Sequence, residues 1–175
     1  SITGWIEVDP APEKPPLSAV VNAMGMTLVE NDPSTIVFSS DRTGDYHQIF
    51  IMNSDGTDQK QLTEDPGDKI YPKWSPDGSR ILYLSVADYP NASNSTWRPI
   101  HFYVMNSDGS NPINITNNSA TDKRPSWSRD GSKIAFTSSR DESTWWEIYT
   151  MNSNGTGVTR LTNNNTYDGE PSWSP

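Results

Sequence analysis

Short apolar stretches alternate with polar turns along most of this chain. Ile36–Phe38, Ile49–Met52, Ile81–Leu84, Phe102–Met105, Ile134–Phe136 and Ile148–Met151 are set apart by segments rich in Ser, Asn, Asp, Gly and Pro. Apolar runs this short, bounded by turn residues, read as strands. Ile81, Leu82 and Tyr83 are consecutive, so that strand is apolar on both faces and needs cover on both.

The pattern repeats. PKWSPDGSRILYLS at 72–85 matches PSWSRDGSKIAFTS at 125–138, and the segments at 49–63, 102–116 and 148–162 match one another. Trp74, Trp127 and Trp173 lie 53 and 46 residues apart, and the series Met52, Met105, Met151; Gly56, Gly109, Gly155; and Thr63, Thr116, Thr162 give the same intervals. The chain therefore divides into repeats at 27–64, 72–116 and 125–162 and the start of another at 169–175. In the first repeat Val29 takes the place of Trp, and Asn31, Asp32 and Pro33 replace the Asp-Gly turn.

Each repeat predicts four strands. Pro-x-Trp-Ser comes first, then a Ser-Pro-Asp-Gly turn with glycine free to take positive φ. The second strand is Ile-x-Phe/Tyr-x-Ser and the third Ile/Phe-Tyr-x-Met. An Asn-Ser-Asp-Gly-Thr hairpin leads to an outer strand ending in Leu-Thr or Ile-Thr. One such sheet cannot cover both its faces, whereas radial stacking of sheets can. The expected fold class is all-β, with β-propeller blades.

Trp74-Ser75-Pro76-Asp77-Gly78, Trp127-Ser128 with Asp130-Gly131, Trp173-Ser174-Pro175 and the three Met-Asn turns together resemble the WD-like propeller repeat of the TolB family over about 27–175. Val29 for Trp, Arg129 for Pro and an insertion in the second repeat depart from that pattern. The resemblance implies the fold. It leaves function open, because the repeat serves translocation proteins, lyases, peptidase accessory domains and surface proteins alike.

Residues 1–26 lie outside the repeats. Trp5–Val8 suits a short strand, Pro10, Pro12, Pro15 and Pro16 stiffen the stretch after it, and Ala19, Val20, Val21 and Ala23 are small and apolar. The segment reads as an N-terminal extended arm. Three blades fall short of the usual four to eight, and the strand at 169–175 has no following strands of its own blade. The expectation is contact between copies through 1–26 or 169–175, with strand pairing across it. The competing expectation is internal closure, with 169–175 pairing onto the first repeat.

A net charge of -9 disfavours nucleic acid and anionic lipid as partners, and no apolar run approaches the length of a membrane span. The chain has no Cys to act as nucleophile and no Gly-x-Ser-x-Gly, so no catalytic site is expected. Its two histidines, His47 and His101, lie outside any metal-ligand spacing and read as surface residues on loops. The Asn-Ser-Asp-Gly turns resemble the opening of a calcium loop, but its twelfth position is Glu64, Asn117 and Asn163, acidic once in three. Hairpin chemistry explains these turns better, and calcium would suit the acidic connections 65–68 and 41–45 better than the turns. No cofactor is expected.

Propeller geometry places the loops at 41–48, 86–101 and 139–147 on one face with the blade connections. That face gathers Tyr46, His47, Tyr89, Trp97, Arg98, Trp145 and Trp146, residue types suited to a protein or carbohydrate ligand. Packing of the Trp residues between neighbouring loops is the plainer alternative. Sequons begin at Asn91, Asn94, Asn114, Asn117, Asn154 and Asn164; Asn91 and Asn94, in the inserted loop, are the first glycosylation candidates. Together these features suggest a non-enzymatic extracellular or cell-surface module that binds or builds, assembling with other copies, as a fibre for example. The alternatives are a periplasmic TolB-like subunit that binds envelope proteins, and the propeller of a larger lyase or peptidase.

Overall fold

The computed structural model describes residues 35–86, 100–116, 118, 120–141 and 145–174, which all fall in the compact unit Pro33–Pro175. Every regular element among them is a strand, which agrees with the all-β expectation. β1 (Thr35–Ser40), β2 (Gln48–Asn53) and β3 (Lys60–Gln61) form one antiparallel sheet. β4 (Asp68–Trp74), β5 (Arg80–Val86), β6 (Ile100–Asn106) and β7 (Ile113–Asn114) form the second. β8 (Asp122–Trp127), β9 (Lys133–Ser138), β10 (Glu147–Asn152) and β11 (Thr159–Arg160) form the third. The expected arm at 1–26 and the first strand of the first repeat lie outside the described residues.

Strands apolar on both faces bind neighbouring sheets together, as a propeller requires. Ile81, Tyr83 and Met105 pack with Ile49 of the first sheet, flanked by Val37, Ile51 and Leu62. From the other face of the same sheet, Leu82, Leu84, Phe102 and Val104 pack with Ile134, Phe136 and Met151 of the third. The second sheet thus turns one face toward the first sheet and the other toward the third.

Local hydrogen bonds show why the turn residues recur. Asp77 Oδ1 accepts from Ser75 Oγ (2.6 Å) and from the Ser79 backbone N–H (3.1 Å), and Asp130 does the same with Ser128 and Ser132. These bonds hold both carboxyls well below their usual range, at about 2. In the hairpins, Asp55 Oδ1 accepts from Thr57 N–H and hydroxyl, and Asn154 Oδ1 from those of Thr156. The oxygens of these turns close the hairpins.

A second repeated device, beyond what the sequence pattern shows, ties the outer strand back. The hydroxyls of Thr63, Thr116 and Thr162 accept from the backbone N–H of Ile49, Phe102 and Ile148. Thr63 donates in turn to Gln48 Oε1 (2.7 Å) and Thr162 to Glu147 Oε2 (2.5 Å). Glu147 is fully buried and also accepts from Arg160 (2.7 Å) and the Asn164 N–H. His101 occupies the corresponding place in the second sheet. It is therefore half-buried within β6, not on a surface loop, and its Nδ1 has no hydrogen-bond partner.

Two further expectations are corrected. A Pro-x-Trp inner strand is expected to bury its tryptophan between blades; Trp127 is buried, but Trp74 is only partly so. The Arg80 guanidinium lies 5.0 Å from the Trp127 ring centroid, whereas the residue at the matching place for Trp74 is the shorter Thr35. The inner strands also begin earlier than Pro-x-Trp, at Asp68 and Asp122, because a bulge precedes each proline: the register shifts between Ile70 and Lys73 and between Lys123 and Ser126. Proline has no N–H to give the ladder, and the bulge absorbs that loss.

Candidate binding cleft

The bulges define the candidate site. Tyr71, Arg124 and Glu170 precede Pro72, Pro125 and Pro171, stand at the same place in successive repeats, and have φ of 53°, 53° and 61°. Non-glycine residues seldom adopt such values. Residues 168–174 follow the inner-strand path although no strand forms there. Asp168 N–H donates to Trp146 O (2.8 Å) just as Lys69 N–H donates to His47 O (2.7 Å). Glu170 N–H reaches Thr137 Oγ1 and Trp173 Nε1 reaches Ser126 O.

A cleft of about 560 Å³ opens between β4, β8 and this last segment. Ile70, Leu84 and Ile100 give it an apolar floor, and all three bulge residues line it. Lys73, Lys123 and Arg124 supply cations, and Glu170 meets Arg124 at 3.2 Å. That pair is exposed on both sides, so it contributes little to stability and leaves the guanidinium available to a ligand. With Glu170 set against Lys73, Lys123 and Arg124, the lining carries an excess of positive charge in a chain of net charge -9.

Of the residues expected to form the loop face, Trp146 adjoins this cleft. Lys123 Nζ lies 4.3 Å from the Trp146 ring centroid, a cation–π contact that joins rim to wall. Trp146 is half-buried, so packing between neighbouring loops describes it in part, while Trp145 is 42% exposed. His47 is exposed, and its N–H and Nδ1 both meet Asp68 Oδ1, at 2.9 and 3.2 Å. Tyr46 is half-buried beside it. Tyr89, Trp97 and Arg98 lie outside the described residues, as do Asn91, Asn94 and Asn117.

Of the other sequons, Asn114 is half-buried on β7 and its Oδ1 accepts from Thr116 N–H. Asn154 is exposed at a hairpin tip. Asn164 is exposed, with Nδ2 donating to Asp168 Oδ2 at 2.6 Å. Among the described residues no group of three His, Asp or Glu side chains is placed to hold a metal ion, and no helix is long and apolar enough to cross a membrane.

Lys73, Lys123, Arg124 and Glu170 escaped the sequence reading, which looked for chemistry in the loops. The signal was present as an x-Pro dipeptide at the same point of each repeat, since proline within a strand marks an edge or a bulge.

Residues 93–175 match the family model described as the TolB beta propeller domain. Among curated proteins, the chain is 34% identical over 76 residues to the uncharacterized peptidase YuxL of Bacillus subtilis (strain 168), covering 39% of this chain and 12% of that protein. It is 32% identical over 140 residues to the protein TolB homolog of Chlorobium luteolum, covering 61% of this chain and 32% of that protein. Its alignments thus span about a third or less of these relatives. Among solved structures, TolB from Acinetobacter baumannii superposes with a TM-score of 0.58 at 22% identity, over 83% of this chain and 34% of that one.

Proposed function

We propose that this chain, of which residues 93–175 match the TolB beta propeller model, is a non-enzymatic binding module working outside the cytoplasm, which takes a carboxylate-bearing ligand into the basic cleft and assembles with other copies. The cleft carries this reading: Lys73, Lys123 and Arg124 converge on an apolar floor beside Trp146. Acidic side chains of a protein segment, or the uronate groups of an acidic carbohydrate, match those cations, and an aromatic rim suits either. Similarity to TolB proteins favours a periplasmic setting over the cell surface. Glycan on the sequons, Asn91 and Asn94 of the inserted loop first, belongs to the surface setting.

The test is calorimetric titration with an oligoglutamate peptide and with an oligogalacturonate. One of them binds, more weakly as salt rises, and Lys123→Ala and Arg124→Ala each cost roughly tenfold in affinity, in line with the loss of a charge-assisted contact. Binding of neither probe, or equal binding by the variants, overturns the cleft as the site.

A second reading, the propeller of a larger peptidase or lyase, draws on the match to YuxL, which covers 39% of this chain and 12% of that protein. A parent polypeptide in which these repeats continue into a hydrolase domain would decide for it.

A further inference from the structure

The hairpins that lead into β3, β7 and β11 share one build and differ at one residue. The N–H of Gly56, Gly109 and Gly155 donates to the carbonyl of Asn53, Asn106 and Asn152, at 2.9, 3.0 and 2.9 Å. Before the glycine stand Asp55, Asp108 and Asn154, and in each hairpin that side chain's Oδ1 accepts from the backbone N–H two residues on. All three residues are exposed. Asp108 is exposed although its sheet packs on both faces, so exposure belongs to the hairpin tip and not to the sheets beside it. Asn154–Gly155 is the one Asn-Gly pair in the sequence.

An asparagine before a glycine can close a ring on the chain. Gly155 N attacks Asn154 Cγ: the N–Cγ bond forms, the Cγ–Nδ2 bond breaks, and Nδ2 leaves as ammonia with the proton given up by Gly155 N. Water then opens the cyclic imide. Addition at Cγ restores the ordinary chain with aspartate at 154. Addition at the 154 backbone carbonyl routes the chain through Cγ as isoaspartate, one carbon longer. A carboxylate offers no comparable leaving group, so Asp55 and Asp108, while ionised, react far more slowly. The hydroxyl and N–H of Thr57 hold the Asp55 carboxyl below its usual range, and those of Ser110 do the same for Asp108.

The closed hairpin withholds both reacting groups. Gly155 N–H donates to Asn152 O, and Asn154 Oδ1 accepts from the Thr156 N–H at 3.1 Å and hydroxyl at 2.7 Å. The hairpin is also clamped on the second sheet: a Cβ on Gly155 would lie 2.5 Å from Ile115 O, and Arg80 Nη1 reaches Ser153 Oγ at 3.3 Å. The two products differ in fit. Aspartate at 154 reproduces the first-sheet turn, where Asp55 Oδ1 accepts from the Thr57 N–H and hydroxyl. Isoaspartate inserts a carbon where Gly155 has no room to move. We infer that Asn154 is a site of spontaneous modification gated by the seat of the third sheet on the second. It converts while the hairpin is open, and the isoaspartyl form keeps the hairpin from seating again.

The test ages the full chain at mildly alkaline pH, folded in buffer and unfolded in urea. Tandem mass spectrometry of the tryptic peptides, 141–160 above all, reads both products. Expected in urea is conversion at Asn154 before any other asparagine. In the folded chain the rate should be at least about tenfold lower, as for a reaction that waits on local opening. Chains aged in urea are then refolded and taken through pulse proteolysis across a urea series, with the same peptide read in the survivors. Isoaspartyl chains should be lost at lower urea than aspartyl ones, and Asn154→Asp should match wild type. Earlier conversion of another asparagine overturns the site. Equal rates in the folded and unfolded chain overturn the gate, and equal urea midpoints for the two products overturn the seat as its cause.

Discussion

Gly155 approaches Ile115 so closely that a methyl group in place of its α-hydrogen would stand 2.5 Å from the Ile115 carbonyl oxygen. The hairpin glycines therefore have two duties. Their positive φ closes the turn, and their missing side chain lets one sheet seat on the next.

The two duties separate by mutation. Gly56→Ala adds only the cost of a left-handed alanine, about 1–2 kcal/mol, because its surroundings are open. Gly155→Ala adds the same strain and forces the third sheet off the second, so its loss is larger by at least about 1–3 kcal/mol. Urea denaturation of both variants checks the difference. Equal losses would mean that the close approach carries no energy.

Trp127→Ala is expected to cost about 3–5 kcal/mol, the range for removing a buried aromatic side chain. Trp74→Ala should cost less, since Trp74 is only partly buried and lacks an overlying arginine. Thermal midpoints in that order support this difference in packing, and the reverse order refutes it.

Acid should weaken the Ser-x-Asp turns in a defined window. The carboxyls of Asp77 and Asp130 are held at about 2 by hydroxyl and N–H donors, below the ordinary 3.8. A depressed folded value stabilises the ionised, folded form, so this contribution is complete above about pH 4 and lost as pH falls toward about 2. The double variant Asp77→Asn/Asp130→Asn should show a flatter loss of stability across that interval. Parallel curves for wild type and variant would show that the turns do not titrate with folding.

Glu147 is fully buried with Arg160 and Thr162 as partners. Gln48 makes the matching threonine contact in the first sheet with a neutral amide. Glu147→Gln should therefore be tolerated far better than Glu147→Ala. Arg160→Met alone should destabilise more than Arg160→Met combined with Glu147→Gln, because the single change strands a buried carboxylate. Denaturation midpoints of the four variants decide it.

Sheet order and the two-faced strands were legible because their signals are local: alternating apolar residues, Asp-Gly and Asn-Gly turns, and landmarks at common intervals. Glu147 was not, since it reads as a surface residue until the fold brings Arg160 and Thr162 back from 13 and 15 residues along the chain. Nor did Pro-x-Trp disclose that the strand starts before the proline and bends there. Of the loop aromatics, Trp146 meets a cleft cation, Lys123. The cations deeper in the cleft lie on strand positions that a search for loop chemistry passes over.

Tyr71, Arg124 and Glu170 share one backbone station yet present a phenol, a guanidinium and a carboxylate to the same opening. None belongs to the hydrophobic core. The fold thus separates what must be kept, the proline and the bend before it, from what is free to vary, the group displayed at the bend. Lineages or libraries that exchange only these side chains can rewrite what the cleft holds while the scaffold beneath stays as it is.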